Sequence, residues 1–302
     1  MNNNKINIFI GLVFLISYVT ALIIWLTGIS KNYILFTLSG VIYMFIPTLC
    51  VLLVKKFIYK ENIISELLVS FKLNKWFLIA WLIMPLTALL TMAISLTFPG
   101  VEYSPDMSGM FERYGHLLNP EKIAKMKEDM EKFPINPFLL SIINGMFAGI
   151  TINAIAAFGE ELGWRGFLLV EMKKFNFLKL SIIIGFIWGL WHAPLVLMGL
   201  NYPQHPYIGV LMMIIWCILL TPIFLYITIK SKSVIAASIL HGTLNGTAGI
   251  AIILVKGGND LTIGITGLAG FLALILVIFA FFIYDIYLSK EKIFYKKIDE
   301  IL

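Results

Sequence analysis

The stretch Ile8–Gly28 reads IFIGLVFLISYVTALIIWLTG and carries no charged residue. A helix rises about 1.5 Å per residue, so a run of this length crosses the roughly 30 Å apolar core of a bilayer. It is too long for the core of a signal peptide and has no clear small-residue cleavage site, so it reads as a retained first span. Seven more apolar blocks follow, near 33–54, 76–98, 138–158, 178–199, 208–229, 233–255 and 262–287. The pattern predicts an all-α, polytopic membrane protein with about eight transmembrane helices, residues 1–302 forming a single membrane domain. Helix is required, because a chain in lipid must satisfy its own backbone groups. The short alternating segments of a β-barrel are absent. Composition agrees: 60% of the 302 residues are hydrophobic, 13% are charged, and mean hydropathy is +0.92.

The net charge of +6 does not imply a nucleic-acid partner. The lysines flank apolar blocks and do not line one basic face, which suits a lipid bilayer with an anionic leaflet. With the N-terminus placed inside, 16 of the 23 basic residues fall in inside segments or at their edge. The positive-inside rule therefore predicts that both termini are cytoplasmic. Residues 99–137 become an extracytoplasmic loop, with a short amphipathic helix expected over 120–132. A second amphipathic piece, 57–75, is expected to lie on the cytoplasmic surface. Cys50 and Cys217 sit inside apolar blocks and read as small buried side chains.

Ionisable groups inside a span are costly and mark function by default. His116 and His205 fall in outside loops. His192 and His241 fall inside the fifth and seventh blocks. Either one alone could simply bond a backbone carbonyl. An acidic pair, Glu160-Glu161, stands in FGEELGWRGF (158–167). Apolar residues resume at once, so one helix from Pro137 to about Met172 is expected, roughly 50 Å long. Glu161 and Arg165 are four apart and pair on one face; Arg165 is one of only two arginines in the chain. Depths counted from the cytoplasmic side are roughly 18 Å for Glu160, 21 Å for His192 and 12 Å for His241. The three side chains can therefore share one cavity. Trp188 stands one turn before His192, and Asn245 one turn after His241, each pair on a common face. Trp188 reads as packing, and Pro194 as a bend.

A carboxylate withdrawn from water, two imidazoles and an amide suit hydrolysis. Glu160 can take a proton from water that His192 helps to hold. His241 and Asn245 can donate to an oxyanion. Glu160, His192 and His241 are also a donor set of the type that holds catalytic zinc. The sequence has no His-Glu-x-x-His motif and leaves metal-bound and glutamate-activated water both open. Two other functions share these features: a non-catalytic immunity or partner-binding protein, and a proton-coupled transporter using the same groups as a relay.

Glu-Glu-x-x-x-Arg at 160–165, a histidine one helix later, and His-x-x-x-Asn at His241 and Asn245 resemble the CAAX-protease and bacteriocin-processing family, also called the Abi family. It includes type II CAAX prenyl endopeptidases. The resemblance covers residues 138–255, the expected catalytic core. In that family the position of Trp188 usually holds Phe. The resemblance implies an intramembrane protease cleaving near the cytoplasmic face. It makes Glu160 the catalytic glutamate and His192 its partner. His241 and Asn245 then bind the oxyanion or, on a metal reading, a ligand. Its members are described both as metalloproteases and as glutamate-dependent proteases. The implied partner is a membrane-associated peptide or protein substrate. The lysine- and isoleucine-rich, arginine-poor composition points to a bacterial cell membrane, where such proteins are linked to peptide and bacteriocin maturation.

Overall fold

The protein is described from a computed structural model, which covers residues 3–62, 66–114 and 136–302, with Glu121, Lys125 and Glu128 between the last two segments. The main helices are α1 (Asn3–Leu26), α2 (Tyr33–Met44), α3 (Ile46–Leu52), α4 (Lys75–Ser95), α5 (Pro137–Ile150), α6 (Ile152–Glu161), α7 (Phe177–Trp191), α8 (Pro206–Ser231), α9 (Val234–Thr247) and α10 (Leu268–Tyr287). Among the described residues the only sheet is a two-residue pairing of Glu102–Tyr103 with Val255–Lys256. The chain is an all-α integral membrane protein. Large apolar side chains such as Leu15, Leu22, Leu272 and Phe279 lie on the outside, where lipid is their solvent.

Each expected apolar block contains a helix, but eight equivalent crossings do not result. Six helical stretches among the described residues are long and apolar enough to span a bilayer. A seventh is broken. The single helix expected from Pro137 divides at Thr151, whose φ of −118° and ψ of −106° are not helical, and the two halves meet at 49°. Thr151 interrupts the ladder of backbone bonds, which a straight helix cannot tolerate. The fifth block yields α7, only 15 residues long, which stops at Trp191. His192 then turns the chain into a short helix, Ala193–Leu197, with Pro194 in its first turn, where the missing N–H costs least.

The helices pack through glycine, as expected where lipid supplies no hydrophobic drive between them. A Cβ on Gly149 would stand 2.7 Å from Cα of Thr243 in α9, and one on Gly145 would meet the carbonyl of Gly246. From the other side, Gly242 lies against Ala154 N, 2.5 Å from its own Cβ position. Gly185 and Gly189 bring α7 onto Ile218 and Ile214 of α8 in the same way. Helix α9 thus runs through the middle of the molecule, against α4, α5, α6 and α8.

The two sets of connecting segments gather at separate ends. At one end Lys5 pairs with Glu61 and Glu171, and Lys55 with Glu66 and, at 3.3 Å, Glu61. There also Val234 N bonds Leu68 O at 2.9 Å, and the terminal segment folds back so that Phe177 N bonds Lys296 O at 3.1 Å. At the other end the two-residue pairing joins the segments after α4 and α9, and His205 bonds Asp260 at 2.6 Å. The described part of 57–75 is not the expected surface helix. Beyond a π-helical turn (Leu53–Ile58) it is a turn and irregular chain that buries Leu67 and exposes Phe71. His116 and most of the helix expected over 120–132 lie outside the described residues. Cys50 and Cys217 are free and fully buried.

Candidate active site

Glu160 and Glu161 end α6, and the chain then widens into a π-helical turn, Leu162–Leu168. Such turns are rare and concentrate at functional sites. This one keeps Trp164 one turn beyond Glu160, and Arg165 one turn beyond Glu161. Both glutamates and the arginine are buried in protein.

The geometry centres on Trp188 of α7. Its Nε1 donates to Oε2 of Glu160 at 2.6 Å, and Trp164 Nε1 donates to the same oxygen at 3.4 Å. The Trp188 ring centroid lies 5.8 Å from that of His192 and 5.6 Å from that of His241. The carboxylate and both imidazoles therefore surround one indole, an arrangement the depth estimates allowed. Glu160 Oε1 has no hydrogen bond among the described residues.

The histidines are oriented differently. His192 Nδ1 bonds the Trp188 carbonyl at 2.8 Å. A carbonyl only accepts, so Nδ1 carries the proton and Nε2 is left as an acceptor. His241 Nδ1 donates to Glu161 Oε1 at 2.8 Å, and Arg165 Nη1 donates to that oxygen at 3.1 Å. The Arg165 guanidinium is sandwiched 4.2 Å from the Trp188 ring and 4.4 Å from the Phe224 ring. Cation–π contact thus joins the ion pair in holding a buried charge. Among the described residues Glu161 Oε2, Arg165 Nε and Arg165 Nη2 are buried without a partner, so the cluster has capacity for ordered water.

Exposure rises from Glu160 (2%) through His241 (5%) and His192 (9%) to Asn245, which is exposed and makes no hydrogen bond among the described residues. The cluster is closed at Glu160 and opens toward Asn245. A cavity of about 710 Å³ lies elsewhere, lined by Met92, Tyr103, Asp106, Met107, Asn136 and Leu254, and contains none of these groups.

All six residues expected at the site are accounted for: Glu160, Glu161, Arg165, His192 and His241 are drawn together, and Asn245 stands at the rim. What the sequence did not reveal is that Trp188 and Trp164 bond Glu160. The four-residue spacing of Trp164 from Glu160 was the available signal. A zinc set was expected from Glu160, His192 and His241. Among the described residues no three His, Cys, Asp or Glu side chains are placed to hold a metal ion. The bonds at Nδ1 of each histidine and at Oε2 of Glu160 leave two Nε2 atoms and Oε1 as the atoms that could face a metal ion.

Comparison with known proteins places the site in a family context. The chain is 27% identical over 202 residues to the CAAX prenyl protease 2 of Methanococcus maripaludis, a match covering 63% of this chain and 64% of that protein. The match thus spans a little under two thirds of the relative. Residues 138–247, which contain every member of the cluster, match the family described as type II CAAX prenyl endopeptidase Rce1-like. The segment that builds this buried cluster is thus the part of the chain that is similar to the Rce1-like type II CAAX prenyl endopeptidases.

Proposed function

We propose that the protein is an intramembrane endopeptidase that hydrolyses a peptide bond of a membrane-associated peptide or protein near the cytoplasmic face, in a bacterial cell membrane with both termini inside. The observation that carries this reading is the convergence of Glu160, His192 and His241 on Trp188, with one face of each still free. A water can donate one hydrogen to Glu160 Oε1 and the other to His192 Nε2, leaving an oxygen lone pair for a carbonyl carbon. On attack the water proton passes to Glu160, and the carbonyl oxygen becomes an oxyanion. Nδ1 of His241 is engaged by Glu161, so Nε2 is the nitrogen that can donate to that oxyanion when it carries a proton. Asn245 Nδ2 supplies a second donor at the rim. The proton held by Glu160 then passes to the amide nitrogen, the oxyanion re-forms the carbonyl as the C–N bond breaks, and the new carboxylic acid, which keeps the second water hydrogen, gives that proton to the new amine.

The name of the archaeal relative makes prenylated C-terminal sequences a reasonable first substrate class. Maturation of a membrane peptide is the alternative within the same chemistry. The test compares terminal peptides of the membrane proteome between cells with the unaltered protein and cells with Glu160→Gln, which keeps shape and removes the base. New protein termini seen only with the unaltered protein support the reading. Identical termini alongside retained biological activity overturn it in favour of a non-catalytic binding role.

A further inference from the structure

The mechanism needs Glu160 and His192 to face the same water, yet they come from different helices. One residue touches both. Trp188 donates its indole N–H to Glu160 Oε2 and offers its backbone carbonyl to His192 Nδ1. We infer that Trp188 is a positioning residue, which selects Oε1 as the working oxygen of Glu160 and Nε2 as the working nitrogen of His192. This rests on the protease reading above and deepens it.

Three observations support the assignment. The 2.6 Å bond is short, as hydrogen bonds to a carboxylate are. The ring cannot drift: it is 1% exposed, with Arg165 stacked 4.2 Å from it and Phe224 5.6 Å away. Both donors to Glu160, Trp188 and Trp164, choose the same oxygen, so the carboxylate has one tethered side and one free side. A group required only for packing would not need the polar end of an indole at this point, where an unbonded N–H is a burden.

Trp188→Phe keeps a ring and deletes the N–H. The protein is labelled with 15N at the tryptophan indoles. The resonance that disappears in Trp188→Phe identifies Trp188, and in Glu160→Gln it moves more than the other indole resonances. In parallel, cleavage of a fluorogenic peptide ending in a farnesylated cysteine motif is followed by the purified protein in liposomes. Trp188→Phe lowers kcat about 10- to 100-fold, as expected for losing one bond to a charged group, and leaves KM within about twofold. Trp164→Phe, losing the longer bond, lowers kcat less. In a Glu160→Gln background Trp188→Phe costs nothing further. An unmoved indole resonance overturns the assignment regardless of activity. A moved resonance with unchanged kcat overturns the positioning role and leaves the protease reading intact. Activity unaffected by Glu160→Gln, or none in the unaltered protein, counts against the protease reading itself, and the resonance then decides the hydrogen bond alone.

Discussion

Nδ1 of His241 donates to Oε1 of Glu161 across 2.8 Å, joining residues 80 positions apart in the sequence. The same oxygen receives Arg165 Nη1 at 3.1 Å. Glu161 is thus the anion that both holds the proposed oxyanion donor and compensates a fully buried guanidinium. Removing its charge leaves Arg165 stranded. Glu161→Gln is expected to cost about 3–5 kcal/mol, the penalty for an uncompensated buried charge. The check is thermal unfolding of the detergent-solubilised protein, where a midpoint within a degree of the unaltered chain contradicts the assignment.

Arg165→Lys should behave as a severe change. Lysine keeps the charge but cannot lie flat between the Trp188 and Phe224 rings, 4.2 and 4.4 Å from the guanidinium carbon. Reduced thermal stability and proteolytic rates at least tenfold lower are expected. Full activity with lysine would show that the stacking is dispensable.

Gly149→Ala places a methyl 2.7 Å from Thr243 Cα, which α9 cannot vacate. Overpacking of this kind costs about 1–3 kcal/mol. Gly40→Ala is the control: it lies in α2 with nothing within 4 Å of its Cβ position, so helix propensity makes the change neutral or slightly favourable. Equal melting midpoints for the two variants would refute close packing at Gly149.

The ion pairs around Lys5 make one end of the protein sensitive to acid. Burial raises the Glu61 carboxyl, but bonds to Lys5 and Lys55 lower it more, and the net value falls below the ordinary 4.5. Its contribution to stability is therefore complete at neutral pH and is lost as pH falls through that lowered value. The loss of stability on acidification to about pH 3 should be smaller in Glu61→Gln than in the unaltered protein, as read from unfolding midpoints across the pH range. A parallel pair of curves would rule out the contribution.

Helix placement was legible because apolar blocks of bilayer length leave few alternatives, and Ile8–Gly28 and α1 agree to within a few residues. The motif residues were legible because Glu160, Glu161, Arg165, His192 and His241 are rare polar intrusions into those blocks. Thr151 gave no warning of the break, since β-branched residues are common in helices that run straight through. Trp188 read as packing because composition cannot say which way an indole N–H points. The piece at 57–75 had helical spacing, yet the described residues there serve Leu67 and the ion pairs, tertiary contacts that override a local period.

The break at Thr151 also determines which changes of chain length the site can absorb. Each half of the bent span is keyed to α9, through Gly145 and Gly149 before the break and at Gly242 after it. A residue inserted at the elbow changes a joint that already departs from helical geometry, and the downstream half keeps its seat. A residue inserted between Ile152 and Glu160 rotates the carboxylate by about 100° around its own axis, away from Trp188. Register in this protein is counted from Thr151 onward, and the ten residues of α6 act as the gauge block that sets where the acid lands.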